Sequence, residues 1–82
     1  MSETMTRNII QNEVSYLVKK HGFDGMVARM TDKYKLTTGK TKDNTREGKV
    51  YGMNIMIVNG KHNNKHFRKV MTGDGKNTIF AI

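Results

Sequence analysis

The chain has 82 residues, no cysteine and 15 Lys and Arg against 7 Asp and Glu, which gives a net charge of +8 and a pI near 10.0. This length accommodates one small basic domain over residues 1–82, excludes a second hydrophobic core and, without cysteine, excludes disulfides and thiolate metal sites. No apolar run reaches the roughly 18 residues of a membrane span, and the N-terminus lacks the segments of a signal peptide. We therefore expect a cytoplasmic protein with no membrane partner.

The positive charge is concentrated in the second part of the chain. Residues 1–32 contain four basic and four acidic residues, whereas residues 33–82 contain eleven basic and three acidic ones. An asymmetry of this kind indicates a partner of opposite charge. Phosphates and acidic protein surfaces carry that charge, so nucleic acid or an acidic protein surface is the expected partner.

The first predicted element is a helix over residues 4–21, because apolar side chains recur there at spacings of three and four. Thr4 or Thr6 can cap its first turn with a hydroxyl group. Gly22 follows two lysines and a histidine, and a glycine in the left-handed conformation is a common end of a helix. The apolar stripe consists of Ile10, Val14, Leu17 and Val18, preceded by Met5 or Ile9.

The segment after the helix fits two elements. A turn at residues 23–25 comes first. The alternation of Met26, Ala28 and Met30 with Val27, Arg29 and Thr31 then predicts a half-buried strand over residues 26–31. A short second helix over residues 24–34 is the alternative, because Met26, Val27, Met30 and Tyr34 also lie on one helical stripe. Residues 38–48 contain no apolar side chain and predict a long polar loop.

The clearest strand is predicted over residues 49–59, where Tyr51, Met53, Ile55 and Ile57 alternate with other residues. Apolar residues on both faces indicate a central strand. Asn59-Gly60 is typical of a two-residue hairpin turn. A longer loop over residues 60–64 is the preferred interpretation, because it brings Phe67 and Met71 onto the face of Ile57 and Met53. Residues 76–82 predict the last strand, with Thr78, Phe80 and Ile82 on one face.

These elements predict an α+β fold, in which the N-terminal helix packs on a small, largely antiparallel sheet of three to five strands. We expect the opposite face of the sheet and the long loops to carry the basic groups. A last strand ending at Phe80-Ala81-Ile82 would be an exposed edge, and pairing of two such edges would give a homodimer.

Fragments of catalytic and metal-binding motifs occur, and each lacks a required part. The end of a phosphate-binding loop motif is matched by Thr38-Gly39-Lys40-Thr41. The motif also needs a glycine five positions before Gly39, where this chain has Tyr34. His62 and His66 have the spacing of half a metal site, among lysines that repel a cation. The histidines also fit an acid–base ribonuclease, and Glu47-Gly48-Lys49 fits a fragment of magnesium-dependent nucleases. The sequence favours a protein without metal, cofactor or catalytic activity.

The basic residues are the strongest candidates for a binding site. Phosphate contacts combine cations with small hydrogen-bonding groups, and asparagine and threonine are frequent in this chain. Lysine outnumbers arginine nine to two in residues 33–82, and lysine binds phosphate as a point charge, so we expect sequence-tolerant contacts. The predicted residues for binding nucleic acid or an acidic partner are Lys40, Lys42, Arg46, Lys49, Lys61, Lys65, Arg68, Lys69 and Lys76.

Two functions follow from these features. The first is a non-enzymatic nucleic-acid-binding protein that contacts phosphates through a lysine-rich sheet face and loops; Phe67, Tyr34 and Tyr51 are either stacking groups or core residues. The alternative is an accessory protein that inhibits or modulates a host protein or defence complex through its basic surface. A single domain rich in Lys, Asn, Thr and Met is similar in style to small bacteriophage accessory proteins, a resemblance of composition that covers no motif.

Overall fold

The computed structural model describes residues 2–39, 45–72, 75 and 77–82, without the side chain of His62. Within these residues a helix is followed by five strands, which form a single antiparallel sheet in chain order. The predicted α+β fold, with an N-terminal helix on an antiparallel sheet, is confirmed. The elements are α1 (Glu3–Tyr34), β1 (Thr37–Thr38), β2 (Thr45–Val50), β3 (Met53–His62), β4 (Lys65–Thr72) and β5 (Thr78–Ala81).

The helix α1 is broken at Gly22, whose φ of 78° and ψ of 171° are not helical. This conformation is open almost only to glycine, so Gly22 permits the break. Glu13, before the break, accepts a hydrogen bond from Lys33, which lies after it, at 2.8 Å. In a straight helix these residues would lie about 30 Å apart. The N-terminal arm (residues 3–21) and the C-terminal arm (residues 23–34) therefore lie side by side.

The N-terminal arm agrees with the predicted helix over residues 4–21, except at its first turn. The capping residue is Ser2, whose hydroxyl group accepts a hydrogen bond from the Met5 amide at 3.1 Å. Thr6 instead donates its hydroxyl group to the Ser2 carbonyl at 3.1 Å. The predicted cap by Thr4 or Thr6 is therefore wrong, because the helix begins one residue earlier than expected.

The C-terminal arm replaces the strand that was predicted over residues 26–31, and the alternative second helix is correct. Met26 and Met30, one helical turn apart, are fully buried, whereas Ala28 between them is exposed. A strand would have placed Ala28 on the same face as the two methionines.

Among the described residues, no helix combines the length and the apolar character needed to cross a membrane.

The chain reverses at Tyr51-Gly52, so the strand predicted over residues 49–59 is wrong in its first part, where residues 49–50 belong to β2. From Met53 onward the segment is a strand, and this strand, β3, is central in the sheet as predicted. Both turn residues have positive φ, 52° and 79°, as a two-residue type I′ hairpin turn requires. Val50 and Met53 pair across this turn. The strand β2 also occupies the end of the predicted polar loop, of which residues 40–44 lie outside the described residues.

A second two-residue turn, Asn63-Asn64, joins β3 to β4 in place of the loop predicted over residues 60–64. Its φ angles are 52° and 65°. In the resulting register Ile57 pairs with Val70. Phe67 is three residues from Val70, and an odd separation along a strand reverses the face. The prediction that Phe67 shares a face with Ile57 is therefore wrong; Met71, one residue from Val70, is misplaced in the same way.

The last strand, β5, contains an irregularity that breaks the predicted alternation. Its pairing with β4 shifts after Val70, and a bulge of this kind interrupts the pattern of inward and outward side chains. Phe80 pairs with Val70, whereas Thr78 pairs with Met71 on the opposite face of β4, so the prediction that Thr78 shares a face with Phe80 is wrong. The position of β5 at a sheet edge agrees with the sequence. The homodimer through that edge stays a prediction.

The core lies between the two arms of α1 and one face of the sheet. Gly48 makes room for it in β2, because a Cβ atom at this position would lie 2.8 Å from Cδ2 of Leu36. The buried apolar side chains are Ile10, Val14, Phe23, Met26, Met30, Leu36, Val50, Ile55, Ile57, Val70 and Ile79. This small core covers one face of the sheet, and no helix of the described residues packs on the other.

Candidate nucleic-acid interface

The sheet has a covered face and an open face. Ile55, Ile57 and Val70 point to the covered face, where they pack against α1. Neighbouring residues in each strand point the other way, and no helix in the described part of the chain packs on that side. We call this second side the open face. From β2 to β5 it consists of Thr45, Glu47, Lys49, Asn54, Met56, Val58, Gly60, Lys65, Phe67, Lys69, Met71, Thr78 and Ala81.

The structure divides the predicted binding residues between these faces. Three lie on the open face: Lys65 and Lys69 on β4, and Lys49 on β2, whose β3 partner Asn54 is four residues from Val58, the partner of Lys69. Three have the opposite parity and point to the side of α1: Arg46, Lys61 and Arg68. The remaining three lie outside the described residues: Lys40, Lys42 and Lys76. The six predicted residues that the structure describes therefore do not form a single site.

The hairpin of β3 and β4 is the most basic part of the described sheet. Residues 53–72 contain four Lys or Arg and no Asp or Glu, whereas α1 contains five basic and four acidic residues. Two cations of α1 are also paired within the helix, Arg7 with Glu3 at 3.4 Å and Lys33 with Glu13 at 2.8 Å. The hairpin therefore contributes +4 and the helix only +1, which makes the hairpin the expected focus of attraction for an anion.

Phe67 lies between two of the open-face lysines, Lys65 and Lys69. Its side chain is 47% exposed, although its size and character suit a core. Lys65 and Lys69 flank it on the same strand face, each about 7 Å away along β4. The Lys69 ammonium lies 4.3 Å from the ring centroid, in a cation–π contact. Gly60, directly opposite on β3, contributes no side chain.

A strip of apolar side chains continues from Phe67 along the hairpin. Val58 pairs with Lys69, and Met56 pairs with Met71 in the next rung of the same face. These three apolar side chains are partly exposed. The open face of the hairpin thus combines cations with an aromatic and apolar surface. We call this set the β3–β4 patch, and it consists of Met56, Val58, Lys65, Phe67, Lys69 and Met71.

The described carboxylates do not assemble into the magnesium site that Glu47-Gly48-Lys49 suggested. Glu47 lies on the open face, whereas Asp24 and Asp32 belong to α1 on the covered side. Asp43 lies outside the described residues. Within residues 2–39, 45–72, 75 and 77–82, no three His, Cys, Asp or Glu side chains are placed to hold a metal ion.

The histidines occupy separate elements. His21 ends the N-terminal arm of α1, where burial and the nearby Arg29 and Lys20 cations lower its pKa. His66 pairs with Lys61 in the hairpin. His62 precedes the turn, and its side chain lies outside the description. The described histidine side chains thus do not form the pair of acid and base that a ribonuclease needs.

A groove of about 590 Å³ lies between the C-terminal arm of α1 and β2. Its charged lining residues are Asp24, Asp32, Lys35 and Arg46. Asp24 also accepts a hydrogen bond from the Asn59 amide at 2.9 Å, which ties the helix to β3. The two carboxylates of the groove repel an anion that its two cations attract. This groove is therefore less suited to a polyanion than the β3–β4 patch.

Glu13 ties the two arms of α1 together. Its carboxylate accepts a hydrogen bond from the Tyr34 hydroxyl at 2.6 Å, besides the one from Lys33. Burial, the hydrogen bond to Glu13 and the neighbouring Tyr51 raise the pKa of Tyr34 above its ordinary value. The Glu13 hydrogen bond also raises the pKa of Lys33. Because both donors come from α1 itself, we interpret this cluster as a structural contact.

This cluster predicts a loss of stability at alkaline pH. The folded state keeps the Tyr34 proton more tightly than the unfolded chain, so its contribution is complete below about pH 10 and declines as the pH rises further. Tyr34→Phe removes the contribution. We expect the difference in free energy of unfolding between wild type and Tyr34→Phe, measured by urea denaturation, to narrow above about pH 10. A difference that stays constant across this range would contradict the assignment.

Comparison of the chain with protein-family models, with curated proteins and with solved structures found no match. The function is therefore argued from the residues of this chain, their positions on the sheet and their charges.

Proposed function

We propose that this protein binds nucleic acid without catalysis, through sequence-tolerant contacts of the β3–β4 patch with phosphates. The observation that carries the proposal is the hairpin of residues 53–72, which contains four basic and no acidic residues. It places Lys65 and Lys69 on the open face, and Lys49 lies on the same face of β2. A polyanion gains most from such a surface, because each neutralised phosphate releases bound counterions.

The type and position of the cations support contacts that do not depend on sequence. All described cations of the open face are lysines, which bind phosphate as point charges. Arginine, which can read guanine with two parallel hydrogen bonds, occurs in the sheet only on the other face of the described strands. There Arg46 donates to the Thr45 carbonyl at 2.9 Å, and Nε of Arg68 is buried.

The aromatic ring favours nucleic acid over an acidic protein as the partner. An acidic protein would satisfy the lysines and can also pack on an aromatic ring, so the distinction rests on the close alternation of cations with a ring. A nucleic-acid strand presents anionic phosphates and flat bases in alternation, and proteins that bind it combine basic residues with aromatic platforms. Lys65, Phe67 and Lys69 offer this combination within one strand.

The test is a titration of the wild-type protein with single-stranded DNA, RNA and duplex DNA of about 16 nucleotides or base pairs at several salt concentrations. Three lysine–phosphate contacts predict a slope of about −2 for log K against log salt with single strands, or a steeper one if other basic residues take part. Absent binding, or affinity that does not depend on salt, would overturn the proposal and favour an acidic protein as partner.

A further inference from the structure

We infer that the nucleic acid on the β3–β4 patch is single-stranded and that one of its bases stacks on Phe67. This inference rests on the proposed function and adds the class of nucleic acid. Its basis is the placement of an exposed aromatic ring, 47% accessible, between two lysines on an uncovered sheet face.

The ring distinguishes single strands from duplex. In a duplex the faces of the bases are stacked on one another, and only their edges are accessible in the grooves. A ring that stands on a sheet face cannot stack on a base there unless the base leaves the helix. In a single strand the base faces are available, and stacking on an aromatic side chain tolerates any base. Phe67 can therefore stack on a base of a single strand, whereas it makes no stacking contact with a duplex.

The neighbouring side chains support the same conclusion. Val58 is diagonal to Phe67 on the open face, within reach of an aromatic ring, and Met56 and Met71 follow in the next rung. These apolar groups are partly exposed. Contact with phosphates alone would leave them in water, whereas an unpaired base lying against the strip would cover them. The strip therefore complements the bases of a strand whose phosphates contact the lysines.

The Lys69 ammonium, which lies 4.3 Å from the ring centroid, does not prevent stacking. An exposed cation–π contact changes an equilibrium constant roughly two- to fivefold, whereas stacking of one base on an aromatic side chain changes it roughly 5- to 150-fold. A base can therefore displace the ammonium. Lysine has a long, flexible side chain, so the displaced ammonium of Lys69 remains able to bind the phosphate next to the stacked base.

The direct test uses Phe67→Trp in the full chain. The protein contains no tryptophan, so this substitution introduces a single indole reporter at the patch. We expect a single-stranded oligonucleotide to quench the indole fluorescence on binding, because the base stacks on the ring. An abasic strand with the same number of phosphates, and a duplex of the same length, should bind more weakly and leave the fluorescence nearly unchanged.

The matched pair of variants is Phe67→Ala and Tyr16→Ala. Tyr16 is also an exposed aromatic residue, 57% accessible, and it lies on α1 away from the open face. We expect Phe67→Ala to weaken binding of the single strand roughly 5- to 150-fold, with little effect on the abasic strand. Tyr16→Ala should bind both strands like the wild type. The salt dependence of Phe67→Ala should be unchanged, because its lysines remain.

The outcomes separate this inference from the proposed function. Equal, salt-dependent binding of the normal and abasic strands, without quenching in Phe67→Trp and without loss in Phe67→Ala, would overturn the inference and leave phosphate binding by the lysines intact. Failure of every nucleic acid to bind would overturn the proposed function and the inference with it.

Discussion

Ile57→Ala is expected to lower the free energy of unfolding by about 2–5 kcal/mol, whereas Val58→Ala, one residue along β3, should lower it by about 1 kcal/mol or less. Ile57 is 1% exposed and packs between the sheet and α1, so its truncation leaves a cavity in a small core. Val58 points to the open face and is already partly exposed. The two substitutions therefore test which face of the sheet is covered.

Urea denaturation of both variants measures this difference. Because a loss at the upper end of the range approaches the total stability of a small domain, Ile57→Val provides a milder version with an expected loss of about 0.5–1.5 kcal/mol. A loss for Val58→Ala that equals or exceeds the loss for Ile57→Ala would show that β3 has the opposite parity. The β3–β4 patch would then be buried, and the proposed binding surface would not exist.

The helix and the fold class follow from the sequence, while the second arm of α1 is ambiguous in it. Met26 and Met30 are four residues apart, and this spacing fits both a helical turn and an alternating strand. Ala28 and Val27 distinguish the two, since a strand buries Ala28 and turns Val27 away, whereas the helix exposes Ala28 and packs Val27 against the core. Alanine is small enough to occur in either place, so the pattern alone does not decide. The contact between Glu13 and Lys33, which brings the arms together, is not visible in local sequence.

The larger error of the sequence-based prediction is the register of the two hairpins. It arises because the residues of both turns are hard to recognise as turns from the sequence. Tyr51-Gly52 forms a tight turn although tyrosine rarely takes positive φ, so the sequence there looks like an uninterrupted strand. Asn63-Asn64 carries a usable signal, because asparagine tolerates the left-handed conformation at both turn positions. Asn59-Gly60 is a competing signal for a two-residue turn at the wrong place, and the apolar character of Phe67 and Met71 favours the longer loop over residues 60–64. A shift of one residue then moved Phe67 to the wrong face.

The basic character of the proposed binding surface follows from composition, whereas its location on the sheet depends on the pairing register of the strands. Counting charges identifies residues 33–82 as basic, but it does not separate Lys65 and Lys69 from Arg68, which points to the other face. Methionine and valine are usually buried, so residue type alone predicts core positions for Met56, Val58 and Met71 rather than positions on the open face. Alternation about the Asn63-Asn64 turn would have placed Phe67 with the lysines.

The open-face lysines are expected to account for much of the salt dependence of binding. Lys65→Gln with Lys69→Gln removes two cations from the β3–β4 patch, and Lys19→Gln with Lys20→Gln removes two exposed cations from α1. Both double variants have the same net charge, so a difference between them reports position. Each lost contact with a single strand reduces the salt slope by about 0.7, so the first variant should lose about 1.4 from its slope and the second almost nothing.

The measurement is the affinity for one single-stranded oligonucleotide at salt concentrations from about 50 to about 200 mM, compared among the wild type and the two double variants. With three open-face contacts the wild type should lose about 20-fold in affinity over this range, the α1 variant should follow it, and the open-face variant should lose only about threefold. If both double variants lose affinity and slope to the same extent, binding depends on net charge alone, and the open face of the sheet is not the nucleic-acid interface.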